Sequence, residues 1–482
     1  MLQSIDFSNH QNRFLSMEDV SDQYLEMIEQ KTKQDPFYPT YHIAPHHGLL
    51  NDPNGLSYYK MSHHIFYQWF PLGPVHGLKH WYHLSTKDFV HFEDHGVALY
   101  PDRDYDSHGC FSGSGFLEGK DLQLFYTGNK IGEDGQIIQS QVYASMDENL
   151  NITKHAPIIN DPAPEFTHNF RDPVVFKRGK IYHMLVGGET INQQGALALY
   201  SGSSIKELNY KGIIKTEIEN PGYMWECPNY YEKDGEGVLI FSPQGDLNKD
   251  KYNFNNVFSV VYAVSAILDT EQLRYDGREF IELDKGFDFY APQTYEDVQG
   301  RRILIGWLGN SKSNYPTDSN MWAHMLTIPR EITISGKRLI QNPIKELENL
   351  RIRNEKLSQE HTLFSRAFEI EVMVEESFKI SFENDNEDSV TFSSNGEEYC
   401  LDRSNMTHLY ADRFGTERYA IRLKKEKHII RIFVDSSSIE IFCDEGQTIF
   451  TSRMFIDNIS TVYSEGVRGE LFYLQSITHT EE

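Results

Sequence analysis

The sequence predicts an all-β protein: a five-bladed β-propeller over residues 39–338, then a β-sandwich over 359–482, with a short helix in 1–38 and a helical linker in 339–358. Three observations carry this. At 482 residues the chain is too long for one core. Its 39% hydrophobic residues include 28 Tyr and 30 Phe, which favour strands. A turn–strand–turn–strand unit also recurs five times, at starts roughly 55 to 65 residues apart.

Along the chain, Ser16 to Lys33 reads as an amphipathic helix, with Ser16 and Asp19 as its cap and Val20, Tyr24, Met27 and Ile28 at helical spacing. Pro36 and Pro39 end it. The repeated units open at Asn51 (NDPNG), Gly109 (GCFSG), Phe170 (FRDP), Trp225 (WECP) and Phe289 (FYAPQ). Each runs as a strand, turns at a polar or Gly-containing bend, returns as a more apolar strand and closes on Gly, which is hairpin grammar. Gln341 to Arg351 reads as a short helical linker. From about His361 the apolar residues alternate with period two, as two packed sheets require. Asp435 and Glu440 in that region are read as structural, and FENDNED from Phe382 as a solvated hairpin turn.

A formal charge of -26 argues against nucleic acid or an anionic membrane as partner. Cys110, Cys227, Cys400 and Cys443 are too dispersed for a disulfide framework or a zinc site. The N-terminus lacks the basic start and apolar core of a signal peptide, and no run of eighteen apolar residues occurs, so a soluble cytoplasmic protein is expected.

The propeller topology gives three carboxylates a shared meaning. Inner strands line a central channel, so Asp52, Asp172 and Glu226, read as holding one position in three repeats, converge at one end of it. Pro53 and Pro173 follow two of them directly, and Pro228 comes two residues after Glu226. Proline holds such a strand start extended and removes a donor. Clustered acids beside amides and aromatic rings suit glycoside cleavage, where one carboxylate is ionised and another holds a proton. Calcium or magnesium would want denser oxygen ligation than this chain offers.

NDPNG, FRDP and WECP, in that order, resemble the signature motifs of glycoside hydrolase family 32, the invertase and fructosidase family. The resemblance spans nearly the whole chain and implies a five-bladed propeller followed by a β-sandwich. It also implies roles: Asp52 as nucleophile, Glu226 as acid/base and Asp172 as transition-state stabiliser, in retaining hydrolysis of a β-fructofuranoside. Leu49, Leu50, Asn51, Gln68, Trp81, Phe111, Ser112, Arg171, Tyr290 and Trp307 fall where the family contacts sugar. PLGPVHGLKHWYH from Pro71 is most similar to the bacterial subgroup that cleaves sucrose-6-phosphate.

One departure stands out. Where many relatives have Trp-Gly, this chain has His76-Gly77, followed by Lys79 and His80. A basic trio in an acidic protein suits a phosphate on the glucosyl half of the substrate. Histidines crowd residues 42–108, but without a supporting Cys or acidic set, so no metal or cofactor is expected. A sugar or sugar-phosphate is the expected partner, and a homodimer is compatible with the sequence. Two alternatives stay open: an intracellular β-fructofuranosidase or short-fructan hydrolase indifferent to phosphate, and a propeller that binds carbohydrate without cleaving it.

Overall fold

A computed structural model describes residues 5–218, 222–245, 247, 249–425 and 427–481. Small antiparallel sheets follow one another as a propeller, and a β-rich domain follows them. The first sheet runs Gly48–Tyr59, Ser62–Phe70, His80–Thr86, His91–Leu99, and the second Cys110–Glu118, Asp121–Ile131, Ile137–Met146, Ile152–Lys154. The third is Phe166–Arg178, Ile181–Thr190, Gly195–Ser204, Glu207–Ile213, and the fourth Met224–Lys233, Glu236–Gln244, Val261–Ala266, Ile281–Glu282. The last contains Tyr290–Glu296, Arg302–Leu308, Arg330–Ser335 and Arg338–Pro343. The opening strand of each sheet packs against the opening strand of the next, and Tyr290–Glu296 returns to Gly48–Tyr59, closing a ring.

Two parallel pairings tie distant segments to the first sheet. Trp322–Ala323 pairs with Gly48–Leu49 on its inner edge. Thr478–Glu481 pairs with His91, Phe92, Glu93 and Asp94 on its outer edge.

Every opening strand carries a β-bulge at the same level, two residues facing one on the neighbouring strand. The bulged pairs are Asn51-Asp52, Phe111-Ser112, Asp172-Pro173, Cys227-Pro228 and Ala291-Pro292. This corrects the expectation that the three carboxylates hold one position. Glu226 is the last paired residue before its bulge, Asp172 is the first bulged residue and Asp52 the second. Successive side chains along a strand point to opposite faces, and the bulge relaxes that alternation enough to turn residues at three different offsets inward. Asp172, Cys227 and Ala291 take φ of 66°, 46° and 45°, left-handed values that non-glycine residues rarely adopt.

The N-terminal helix is shorter than expected. Ser16 and Asp19 do form a capping box, but on a single 3-10 turn, Met17–Asp19, which the extended backbone of Val20 ends. The α-helix is Asp22–Lys33, capped by Ser21, whose Oγ accepts from the Tyr24 amide at 3.3 Å. Tyr24 and Ile28 pack with Leu49, Phe70, Leu72 and Leu78 of the first sheet. Within 339–358, Lys345–Leu350 is a 3-10 helix flanked by strands Arg338–Pro343 and Arg351–Lys356. The acidic stretch from Phe382 turns between Phe368–Glu383 and Ser389–Ser394.

The C-terminal domain is organised on the long strand Phe368–Glu383, which pairs with Ile429–Asp435, Ser389–Ser394 and Thr461–Leu474. Its buried residues Ile370, Val372, Val374, Phe378, Ile380 and Phe382 form the core. It meets the propeller through buried ion pairs. The His42 ring bridges Asp435 Oδ2 at 2.8 Å and Glu440 Oε1 at 3.0 Å, and Arg330 donates to Glu440, Asp284 and Thr451. Asp435 and Glu440 are thus structural, as expected.

Candidate active site

The three carboxylates meet in one cavity of about 450 Å³, a size that suits a small ligand. Of the expected contacts, Asn51, Gln68, Phe111, Ser112, Arg171, Tyr290 and Trp307 line it, as do His76 and Lys79. Four residues do not. Leu49 belongs to the cluster under the N-terminal helix, and Leu50 to the propeller core. Trp81 is fully buried and donates Nε1 to the Phe111 carbonyl at 3.0 Å, so it supports the cavity wall from behind. His80 turns its ring onto the Leu78 carbonyl at 3.0 Å, away from the other two members of the basic trio.

Asp52 is held in a closed ring of hydrogen bonds. Asn51 Nδ2 donates to Asp52 Oδ1 at 3.0 Å and to Gln68 Oε1 at 2.7 Å. Gln68 Nε2 donates to Ser112 Oγ at 2.7 Å, and the Ser112 hydroxyl donates to Asp52 Oδ2 at 2.5 Å. Lys79, buried rather than in a solvated loop, donates Nζ to Asn51 Oδ1 at 2.6 Å. It fixes the Asn51 amide so that Nδ2 faces the two acceptors.

Glu226 is fixed separately. Arg171 donates Nε and Nη2 to Oε1 at 3.1 and 2.7 Å, and the Tyr290 hydroxyl and Gln244 Nε2 donate to Oε2, the former at 2.6 Å. Asp172 accepts the Cys227 amide at 2.9 Å, while its own amide donates to Thr127 Oγ1 at 3.0 Å. The Cys227 thiol lies 3.5 Å from Asp172 Oδ2 and 3.6 Å from Asp52 Oδ2.

Burial pushes Asp52 above the ordinary carboxylate range; the Ser112 and Asn51 hydrogen bonds pull it back, and the Glu226 charge adds to the rise. Burial carries Asp172 up to about 7 against the pull of Arg171, with the charges of Glu226 and Asp52 adding to it. Near neutrality Asp172 can therefore donate as well as accept hydrogen bonds. Burial lowers Lys79 to about 7, opposed by the Asp52 charge. It also raises Cys227, so that side chain stays a thiol. Trp307 Nε1 and His76 Nε2 are buried on the cavity wall and find no hydrogen-bond partner among the described residues, as groups that meet a polar ligand would.

Several residues of the cavity wall were not legible in the sequence, His108, Asn129 and Gln139 among them. Gln244 sits at the end of the strand paired with Met224–Lys233, where the closing turn of the fourth repeat was the only signal. His10, Arg13 and Phe14 reach the cavity from the N-terminal segment, which no motif marked.

The chain is similar to known proteins along nearly its whole length. The profile described as "Glycosyl hydrolases family 32 N-terminal domain" matches residues 42–343, and "Glycosyl hydrolases family 32 C terminal" matches 337–480. A sucrose-6-phosphate hydrolase of Vibrio alginolyticus is 44% identical over 97% of both chains. One from Staphylococcus xylosus is 37% identical over 96% of this chain and 97% of that one. Among solved structures, a sucrose-6-phosphate hydrolase from Lactobacillus gasseri superposes with a TM-score of 0.93 at 31% identity, covering 98% of this chain and all of that one. A β-fructofuranosidase from Bombyx mori gives 0.84 at 29%, covering 96% and 100%.

Proposed function

This chain belongs to glycoside hydrolase family 32, and from that premise we propose that it cleaves the β-fructofuranosyl bond of sucrose-6-phosphate, and of sucrose, with retention. The observation that carries the proposal is the separate fixing of two carboxylates on one cavity. Asp52 is oriented by the Asn51 amide and the Ser112 hydroxyl, and Glu226 by Arg171, Gln244 and the Tyr290 hydroxyl, so the two carboxylates are positioned independently, as a nucleophile and an acid/base must be.

In the first step Asp52 attacks the anomeric carbon of the fructosyl ring while Glu226 gives its proton to the departing glycosidic oxygen. A fructosyl ester of Asp52 forms and the glucosyl half leaves. Glu226, now ionised, takes a proton from water as that water opens the ester, which restores both groups. Asp172 binds fructosyl hydroxyls and strengthens those bonds as positive charge develops on the ring.

A second reading, hydrolysis of sucrose or short fructans without phosphate preference, is favoured by one observation: the expected phosphate cation, Lys79, is engaged with Asn51. Family membership also supports counting the successive sheets as five blades over 39–338 and the C-terminal domain as a two-layer sandwich over 359–482. A cytoplasmic setting suits four unpaired cysteines, and no described helix is long and apolar enough to cross a membrane.

The test is release of fructose from sucrose-6-phosphate and sucrose by wild type, Asp52→Asn and Glu226→Gln. Loss of turnover in both variants, with unchanged folding and a higher wild-type kcat/KM for the phosphorylated sugar, is expected. Sugar binding without release by wild type would overturn the enzyme assignment, and equal kcat/KM for both sugars would leave the second reading.

A further inference from the structure

With Lys79 engaged by Asn51 and His80 turned away, the phosphate needs another cation. The cavity has one in the N-terminal segment. His10–Phe14 forms a 3-10 turn whose Arg13 lines the same cavity as Asp52 and Glu226. This segment is seated on the first sheet rather than loosely attached. The Arg13 carbonyl accepts the Leu78 amide at 2.7 Å, and Phe7 packs edge-on against Phe70 at 5.7 Å. Two glycines make room for the seat. A Cβ on Gly77 would come within 2.5 Å of the Arg13 carbonyl oxygen, and one on Gly73 within 2.3 Å of the Phe7 ring.

The guanidinium is half-committed. Nε donates to the Phe7 carbonyl at 3.0 Å, which orients the group, and neither Nη is paired with a carboxylate among the described residues. Two histidines line the same cavity wall, both held neutral by burial. His76, one residue before Gly77, has a buried Nε2 on the cavity wall with no hydrogen-bond partner among the described residues. His108 accepts the Ile131 amide at Nδ1, at 3.2 Å, which puts its proton on Nε2, and its ring packs on Phe14 at 5.3 Å. Exposure rises from buried Asp172, through partly buried Glu226 and Arg13, to exposed His10. The N-terminal segment thus stands on the solvent side of the cavity, the side toward which a leaving group departs.

We propose that Arg13, with His76 and His108 beside it, binds the phosphate carried by the leaving-group sugar, making the N-terminal segment the element that selects a phosphorylated disaccharide. A planar guanidinium with free Nη groups matches a phosphate dianion in geometry and charge. This rests on the hydrolase function proposed above and replaces Lys79 and His80 in the expected basic trio.

The experiment measures kcat/KM for sucrose-6-phosphate and for sucrose in wild type, Arg13→Ala and Arg13→Lys. The ratio of the two constants is expected to fall about tenfold or more in Arg13→Ala, mainly through KM, with partial retention in Arg13→Lys, as loss of a charge-assisted hydrogen bond implies. The wild-type ratio should also shrink as salt rises. Both variants keep the Leu78 bond, which uses the Arg13 backbone, but give up the Nε bond to the Phe7 carbonyl, and Arg13→Lys serves should Arg13→Ala melt early. A high wild-type ratio that both variants preserve overturns the role of Arg13 and leaves the hydrolase function standing. A wild-type ratio near one overturns the phosphate preference itself.

Discussion

Arg171 directs two donors, Nε and Nη2, at a single oxygen of Glu226, which leaves Oε2 to Tyr290 and Gln244. Glu226 is therefore oriented through one oxygen of its carboxyl group, which leaves the other for the acid/base role proposed above. Replacing Arg171 with Met is expected to lower kcat by about 10²–10³, the scale of losing a preorganised charged contact, with a smaller change in KM. The same variant removes the charge that holds Asp172 down, so Asp172 should titrate above its present value of about 7. Steady-state kinetics across pH 5 to 9 would show both effects; an unchanged kcat would mean Arg171 only packs.

Ser112 is the hydrogen bond that most opposes the upward push of burial on Asp52. Without its hydroxyl the carboxylate rises further, so a more alkaline medium is needed to ionise the nucleophile. In Ser112→Ala the acid limb of kcat/KM is expected to move to higher pH, and the plateau to drop about tenfold for a lost bond to a charged group. An acid limb that stays in place would separate Ser112 from the ionisation of Asp52.

Asp172 combines chemistry with backbone geometry, since its φ of 66° suits Asp and Asn far better than other side chains. Asp172→Asn and Asp172→Ala should both lose turnover, but only Asp172→Ala should also lose about 1–2 kcal/mol of stability. Urea denaturation distinguishes them, and equal midpoints would argue against strain at this bulge.

His42 links the two domains with a pH dependence of known sign. Burial alone would lower its pKa, but hydrogen bonds and charges from Asp435 and Glu440 more than reverse that and raise it to about 9. The folded value lies above the ordinary 6.5, so this stabilisation is complete below pH 6.5 and lost as pH climbs through about 9. The loss is on the order of 3 kcal/mol. Between pH 7 and 10 wild type should lose more stability than His42→Gln, which has no such proton; parallel curves would remove His42 from the account.

Much of this was legible because tight-turn residues are read locally. NDPNG, FRDP and WECP announced the inner strands and the acids, and the spacing announced the repeat, although the structure puts NDPNG and FRDP at bulges inside their strands and not at the strand starts. The offset between Glu226, Asp172 and Asp52 was not legible, because a bulge is a pairing relation between two strands and leaves no mark in either alone. The partner of Lys79 was not legible either: beside His76 and His80 it reads as one of a basic trio, and only the fold shows that it is buried against Asn51 on the cavity wall. Ser16 and Ser21 both carry cap chemistry, and only the backbone of Val20 decides between them.

The outer edge of the first sheet, His91–Leu99, is covered by Thr478–Glu481. On a ribosome these partners are separated by roughly 380 residues, a delay of about 20–80 s at ordinary elongation rates. Throughout that interval the nascent first blade presents an unpaired strand, the kind of edge that recruits other chains. Pairing of Thr478–Glu481 thus closes the period in which this edge is open to misassembly, so removing that segment should reduce soluble yield more than it reduces the activity of the protein that does fold.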